Sequence, residues 1–382
     1  MTIENSTLNN KDKKIRLAFA DGLRGLAALW VVLFHLAGGN HIDNLVAHIP
    51  KLSLVLFYAG HLGVAIFFVL SGFVMMHIMS PYQVDMRYGG RFLLRRLIRL
   101  SPPYYFAIFV AIFFLVLKSK LVGGDVHIPS IREIWIHMLY AQDYAKLPPI
   151  NMSFWTLGVE VQFYFAFISI MLLADWLRTR FNLLDARLYV LGFSAFISLA
   201  WIFDLVHTKF WPGGFIVYWY SFMAGALVSF AISTKKDIDS MMALAIIFLI
   251  LIAGLLKSDP FILIVALTSM VLLYASYASK MESWLSWRWL QGLGLISYSL
   301  YLLHSPITGA SANLVRRFLP MHLSTDLIVM FVAILNCLIA AWLAFIFIEK
   351  PSINWSHLSF LSPKRKIQRN ISPEINLKKE NI

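Results

Sequence analysis

Apolar residues run through this chain in long unbroken stretches, separated by short polar segments. Runs near 20 residues fall at about 19 to 38, 54 to 79, 102 to 118, 154 to 174, 187 to 205, 214 to 232, 241 to 256, 260 to 278, 290 to 312 and 325 to 348. At roughly 1.5 Å of rise per residue, 20 helical residues cross a hydrocarbon layer of about 30 Å. The runs are continuous and do not alternate with period two. The pattern therefore predicts helices, each closing its own backbone hydrogen bonds, and not a β-barrel. The fold class that follows is an all-α integral membrane protein of about ten transmembrane helices, the seventh of them short. Residues 1 to 17, polar and rich in Asn and Lys, are expected to be a disordered tail, residues 18 to 351 a single membrane domain, and 352 to 382 a second, basic tail.

Composition narrows the class further. With 59% hydrophobic and 14% charged residues in 382, the chain has too little charge to coat a soluble globule. Most Lys and Arg fall on the side of the membrane that holds the N-terminus, which places both termini in the cytoplasm. That asymmetry and attraction to anionic lipid heads account for the net charge of +13, so the bilayer is the expected partner and nucleic acid is not. Cys337 is the one cysteine, so no intrachain disulfide can form. The first apolar run carries Arg24 and His35 and lacks a small-x-small cleavage site, which reads as a retained first helix of a multi-pass protein.

The stretch DGLRGLAALWVVLFH, residues 21 to 35, holds the most informative break in the apolar pattern. It opens on a charged turn with Asp21 and Arg24 and ends on a histidine. At about 100° per residue, the eleven steps from Arg24 to His35 return to within about 20° of the same helix face, about 16 Å further along. One polar stripe thus leads from a helix end into the membrane, where ionisable groups face a cavity or a partner. A plain reading is a buried histidine bonded to a neighbouring helix. The functional reading is a general base or nucleophile, since imidazole takes and returns a proton near neutral pH.

Other breaks add to this one. Gly63, Ser71 and Gly72 are small enough for close helix packing. Five arginines and no lysine occur between 87 and 99, with Arg96 and Arg99 on one helical face beside Arg91 and Arg95, ahead of a helix expected to start at Pro102-Pro103. A positive-inside signal would be indifferent to Arg over Lys. The planar guanidinium binds phosphate bidentately, which suggests a phosphate-bearing ligand on the cytoplasmic side. Residues 119 to 153, with Trp135, His137, Tyr140, Asp143 and Tyr144, are expected to form an interfacial lid on the outside and to set specificity. In SFWTLGVEVQFYF, Thr156, Glu160 and Tyr164 share a face, with Trp155 at the helix entrance. Glu160 is expected either to pair with an arginine or to accept the second imidazole proton of His35. Ser297, Tyr301 and His304 form another polar stripe, lining the same cavity or joining helices. Glu349 and Lys350 are expected to meet the cytoplasmic headgroups.

Taken together, DGLRGLAALWVVLFH, GVAIFFVLSGF, RRLIRLSPPYY, FWTLGVEVQFYF, SYSLYLLH and the closing EKP resemble the membrane acyltransferase 3 family, over about residues 19 to 351. The resemblance implies transfer of an acyl group, usually acetyl, from cytoplasmic acyl-CoA to a hydroxyl of an extracytoplasmic glycan or glycolipid, in the bacterial cytoplasmic membrane. It implies His35 and Glu160 as catalytic residues, and Arg24, Arg95, Arg96 and Arg99 as acyl-CoA ligands. Asp21, Ser71, Trp155, Tyr164, Ser297, Tyr301 and His304 would support or line the site. Acetyl-CoA is then a substrate and not a resident cofactor, no metal is expected, and glycan-assembly proteins are possible partners. Ala65 stands where many relatives have an acidic residue, and Gly158 and Val161 replace a Ser and a second Glu. Larger members carry an added hydrolase-like domain, which this sequence is expected to lack. A rival of another class is a transporter or flippase for an anionic glycolipid with His35 and Glu160 relaying protons, but internal repeats and paired broken helices are not evident. A further alternative is a non-catalytic membrane subunit, for which His35 would be dispensable.

Overall fold

The computed structural model describes residues 17–50, 54–122, 126–206 and 214–358. Of the tails expected at 1 to 17 and 352 to 382, residues 1 to 16 and 359 to 382 lie outside the described residues, while 352 to 356 are helical. Fourteen α-helices follow in order among the described residues: α1 (Ala18–Gly38), α2 (Asp43–His48), α3 (Leu54–Tyr58), α4 (Gly63–Met79), α5 (Met86–Val122), α6 (Ile131–Met138), α7 (Trp155–Phe181), α8 (Ala186–Ile202), α9 (Trp219–Thr234), α10 (Asp237–Lys257), α11 (Pro260–Tyr277), α12 (Arg288–Arg316), α13 (Leu323–Ala344) and α14 (Lys350–Ser356). Short 3₁₀ turns lead into α4 and α9, and a π turn, Phe345–Glu349, joins α13 to α14. No strand occurs among the described residues.

Each predicted apolar run is helical. Eight helical segments are long and apolar enough to cross a membrane. Of the other two runs, α8 is apolar but has 17 residues, and α12 has 29 residues yet is interrupted by Gln291, Ser297, Ser299, His304, Thr308 and Ser311, all buried. The polarity of α12 is therefore turned inward. Its closest partner is α1, and α13 covers another side.

Two seams of small residues set the frame. On α12, a Cβ at Gly294 would fall 2.2 Å from the Asp21 carbonyl oxygen of α1. Between α4 and α9, a Cβ at Gly72 would fall 1.8 Å from the Phe222 carbonyl oxygen, and one at Gly225 would fall 1.9 Å from that of Val69. Backbones approach this closely only where the side chain is a hydrogen. Beside the second seam, Phe222 stacks between Phe68 and Phe163, at ring distances of 4.6 and 3.9 Å. The packing role expected of Gly72 is thus seen in the fold.

One buried ion pair fastens α8 to α7. Arg187 of α8 binds both oxygens of Asp175 on α7, at 2.9 and 2.7 Å, and also the Ser80 and Tyr82 carbonyls. Asp175 in turn accepts the Val84 N–H at 2.6 Å. A buried pair with its remaining groups satisfied in this way holds the chain between α4 and α5 in place.

α5 departs from expectation. It does not start at Pro102-Pro103 but runs unbroken from Met86, with both prolines inside it. The arginines are therefore helical. Pro103 has no N–H for the Arg99 carbonyl four residues before it, and the Ser352 hydroxyl of α14 donates to that oxygen instead, at 3.1 Å. Tyr298 of α12 supports the next carbonyl, Leu100, at 2.8 Å.

Candidate active site

The polar face of α1 borders two compartments. His35 lines a cavity of about 550 Å³, together with Phe34, His61, Ser153, Trp155, Trp201, Tyr218, Tyr220, Asp259 and Tyr301. Arg24 lines a niche of about 40 Å³, with Phe67, Ser71, Thr156, Glu160, Ser297, Tyr298 and Tyr301. Val64 and Tyr301 border both. Tyr301 is held there by its hydroxyl, 2.9 Å from Thr156 Oγ1 and 3.3 Å from the Ser153 carbonyl, and by the edge of its ring against Phe67. The helical stripe read from Arg24 and His35 therefore exists, divided by one tyrosine.

His35 does not meet Glu160. Its Nδ1 lies 3.0 Å from the Val31 carbonyl and 3.2 Å from Nε2 of His304 on α12, with the two rings 4.5 Å apart and nearly perpendicular. His304 is fully buried, and its own Nδ1 is 2.7 Å from the Tyr301 carbonyl. Two carbonyls settle the tautomers, because a carbonyl only accepts. His304 carries its proton on Nδ1 and offers the Nε2 lone pair. His35 carries its proton on Nδ1, donated toward Val31 and His304, and keeps Nε2 bare. Ser153 Oγ, at 3.4 Å, is a second donor toward His304 Nε2. A bare, part-buried imidazole nitrogen beside a cavity has the chemistry of a base or nucleophile.

Glu160 belongs to the niche. Its Oε1 accepts the Ser71 hydroxyl at 2.9 Å and the Tyr164 hydroxyl one turn further along α7. Arg96 reaches the same place from α5, its guanidinium 5.7 Å from the Tyr164 ring centre and 5.3 Å from that of Phe92. Arg99, Glu160 and Arg24 all lie within electrostatic reach of Arg96. Arg24 Nε and Arg96 Nη2 are buried without a hydrogen-bond partner. Buried donors left open in this way mark a place where an acceptor fits. Other expected members are elsewhere. Arg95 is drawn to α14, donating to the Ser356 carbonyl at 2.9 Å and facing His357. Asp21 lines neither compartment; its backbone carbonyl abuts Gly294 at the helix seam. Among the described residues no cluster of side chains suits a metal ion.

No solved structure matches the chain. A family model described as an acyltransferase domain matches residues 17–348. The chain belongs to that acyltransferase family. Among curated proteins it is 25% identical over 371 residues to YrhL of Bacillus subtilis, named as a candidate peptidoglycan O-acetyltransferase, covering 87% of this chain and 54% of that one. It is 24% identical over 327 residues to the peptidoglycan O-acetyltransferase OatA of Listeria monocytogenes, covering 75% and 48%. It is 30% identical over 193 residues to BcsY of Komagataeibacter xylinus, named as a candidate membrane-bound transacylase, covering 47% and 43%. The chain thus spans about half the length of the curated relatives it matches.

Within this membrane acyltransferase, two residues near the site carried no signal strong enough to single them out in the sequence, and a third, Glu349, was expected elsewhere. Ser153 and Asn151 sit on the short link into α7, where the Asn151 side chain accepts the Ser153 N–H at 3.0 Å and donates to the Leu302 carbonyl at 3.3 Å. They tie that link to α12 beside His304. Glu349, expected at the headgroups, is instead 2% exposed and accepts the Ser299 hydroxyl at 2.6 Å, within electrostatic reach of Arg99 and Arg24. The π turn that contains Glu349 adds a residue to the helical turn and rotates that side chain inward. The lid is likewise only partly as expected. Met152 and Ser153 reach the His35 cavity, but the rest of its wall comes from other elements, among them α1, α8, the turn into α9, α11 and α12. His137 and Tyr140 pack on α5, where Tyr140 stacks on Tyr104 at 4.7 Å and Tyr104 donates to the His137 carbonyl at 3.0 Å.

Proposed function

We propose that this acyltransferase moves an acetyl or related acyl group from cytoplasmic acyl-CoA to a hydroxyl of a glycan or glycolipid outside the bacterial cytoplasmic membrane. The observation that carries the reading is the pair of compartments on one face of α1, cationic at one and nucleophilic at the other. Arg24, Arg96 and Arg99 take the anionic donor from the cytoplasmic side, the open guanidinium nitrogens of Arg24 and Arg96 meeting phosphate oxygens. His35 Nε2 then either takes the acyl group or activates the acceptor hydroxyl. The names of the relatives support an O-acetyl product and an envelope saccharide as acceptor. Glu160 serves here as the counter-charge of the niche, held by Ser71 and Tyr164, and not as the partner of the imidazole.

The niche holds about 40 Å³, close to the ~30 Å³ share of one water molecule. A thioester arm fits only if the wall at Tyr301 and Val64 moves. This reading therefore needs a donor-driven opening between the compartments.

The test is transfer of label from acetyl-CoA to cell-envelope glycan in membranes holding either the wild type or His35→Ala at matched amounts. Label should appear with the wild type and fall by about 10³-fold or more with His35→Ala, in the range of loss for a general base or nucleophile. Equal labelling by the two would remove His35 from the chemistry.

A further inference from the structure

Where a catalytic imidazole is oriented by a carboxylate, that anion stabilises the ring when it becomes positive. Here the place behind His35 is filled by another imidazole. His304 lies fully buried, its Nδ1–H committed to the Tyr301 carbonyl, its Nε2 lone pair 3.2 Å from the Nδ1 of His35. The Cys337 thiol of α13 lies 3.8 Å from the His304 carbonyl, and Pro306 follows two residues on, so the backbone at this point is held between helices. The ring is thus fixed on both sides of the pair.

We propose that His304 is the positioning residue of His35 and receives its Nδ1 proton during acyl transfer. This inference rests on the acyltransferase reading above and adds the fate of one proton to it. When His35 Nε2 attacks the acyl carbon, a bond forms from nitrogen to that carbon, the carbon–sulfur bond breaks, and the electron pair leaves with the thiolate. The ring would then be an acyl-imidazolium. Its Nδ1 proton passes to His304 Nε2, leaving a neutral acyl-imidazole and an imidazolium at His304. When the acceptor hydroxyl attacks, its oxygen bonds to the acyl carbon and its proton is released to water, the carbon–nitrogen bond breaks with its electron pair returning to Nε2, and the proton on His304 returns to His35 Nδ1. The departed thiolate takes a proton from water, so the net product is ester and free thiol. If His35 acts instead as a base, the hydroxyl proton arrives on Nε2 and the same Nδ1 proton moves to His304. Either way the charge is shared over two rings. The Val31 carbonyl can hold the Nδ1 proton in place but cannot take it, so only His304 supplies this step.

Two substitutions separate proton acceptance from hydrogen bonding. His304→Gln keeps an acceptor oxygen near the position of Nε2 but no basic lone pair. His304→Asn keeps a donor toward the Tyr301 carbonyl. Acyl transfer is measured with wild type, both variants, Ser130→Ala and His35→Ala in membranes at matched protein amounts, with thiol release from acetyl-CoA followed in parallel. Both His304 variants should lose about 10²-fold or more in kcat while KM for acetyl-CoA stays within about twofold. Ser130→Ala, at the cap of α6 and in neither compartment, should stay within about threefold of wild type. His304→Gln within threefold of wild type would overturn proton acceptance, and a loss confined to KM or to the amount of folded protein would overturn the positioning role. A wild type that neither releases thiol nor transfers label would instead fail the acyl-CoA reading itself and take this inference with it. A failure of the inference alone leaves wild-type transfer and its loss in His35→Ala intact.

Discussion

The two compartments beside α1 are built from the same helices yet differ in almost every physical respect. The Arg24 niche is about 40 Å³, lined by Glu160 and Ser71 with Tyr164 and Arg96 packed behind Glu160, and buried guanidinium nitrogens there lack partners. The His35 cavity is about 550 Å³, walled by Trp155, Trp201, Tyr218, Tyr220 and Phe261, and its central imidazole is held by a neutral partner. A tight, charged space selects by electrostatics and hydrogen-bond geometry. A roomy aromatic one selects by shape and ring contact. Under the proposed function, the difference assigns the phosphate-bearing donor to the arginines and a neutral hydroxyl-bearing acceptor to the aromatic wall.

Substitutions can break or sharpen that division. The largest effect after His35 and His304 is expected at Arg96. If Arg96 meets a donor phosphate as proposed, removing its buried guanidinium costs about 1.5–3 kcal/mol, so Arg96→Ala should raise KM for acetyl-CoA by roughly 10- to 100-fold and leave acceptor KM unchanged. An equal rise in both constants would merge the two compartments. Trp201→Ala should do the reverse. Loss of one aromatic contact, about 1 kcal/mol, predicts an acceptor KM raised by about five- to tenfold with donor KM unchanged. Initial rates over a grid of both substrates read out the pair.

A smaller effect is expected at Ser71. Ser71→Ala deletes the 2.9 Å hydrogen bond to Glu160 but leaves the one from Tyr164, so a loss near 1 kcal/mol, or about fivefold in kcat/KM for the donor, should follow. A null result would show that Glu160 needs only the tyrosine. Least of all should move with α6, which touches neither compartment. There Ser130 and Glu133 cap the helix reciprocally, and the Ser130 N–H and hydroxyl hold the Glu133 carboxyl below its ordinary range. Ser130→Ala should weaken that helix by about 1 kcal/mol with transfer rates unchanged. Because the depressed carboxyl favours the folded cap only while ionised, its contribution is present above the ordinary carboxyl range and is lost as pH falls through the depressed value. Limited proteolysis of the segment before α7, at two pH values, would follow it.

Much of the frame was legible in the chain. Hydropathy is a local property, so ten helical runs could be read from it, and the 3.6-residue repeat alone placed Arg24 and His35 on one face of α1. The run of arginines without lysine pointed to the charged end, and the Thr156, Glu160 and Tyr164 face predicted contacts within α7. Composition determined the membrane class for the same reason, since surface lipid tolerates what water would not. What tertiary structure decided was which polar residue meets which. Glu160 went to Ser71 and Tyr164 and not to His35; His304 took the place behind the imidazole; Arg95 went to α14; and Glu349 turned inward on a π turn. These outcomes depend on how closely helices approach and on their relative height and rotation, which are set by seams such as Gly294 on Asp21 and Gly72 on Phe222. A shift of a few ångströms between two helices exchanges one hydrogen-bond partner for another while leaving every hydropathy run unchanged. The chemistry of each side chain was therefore written in the sequence, but its partner was written only in the packing.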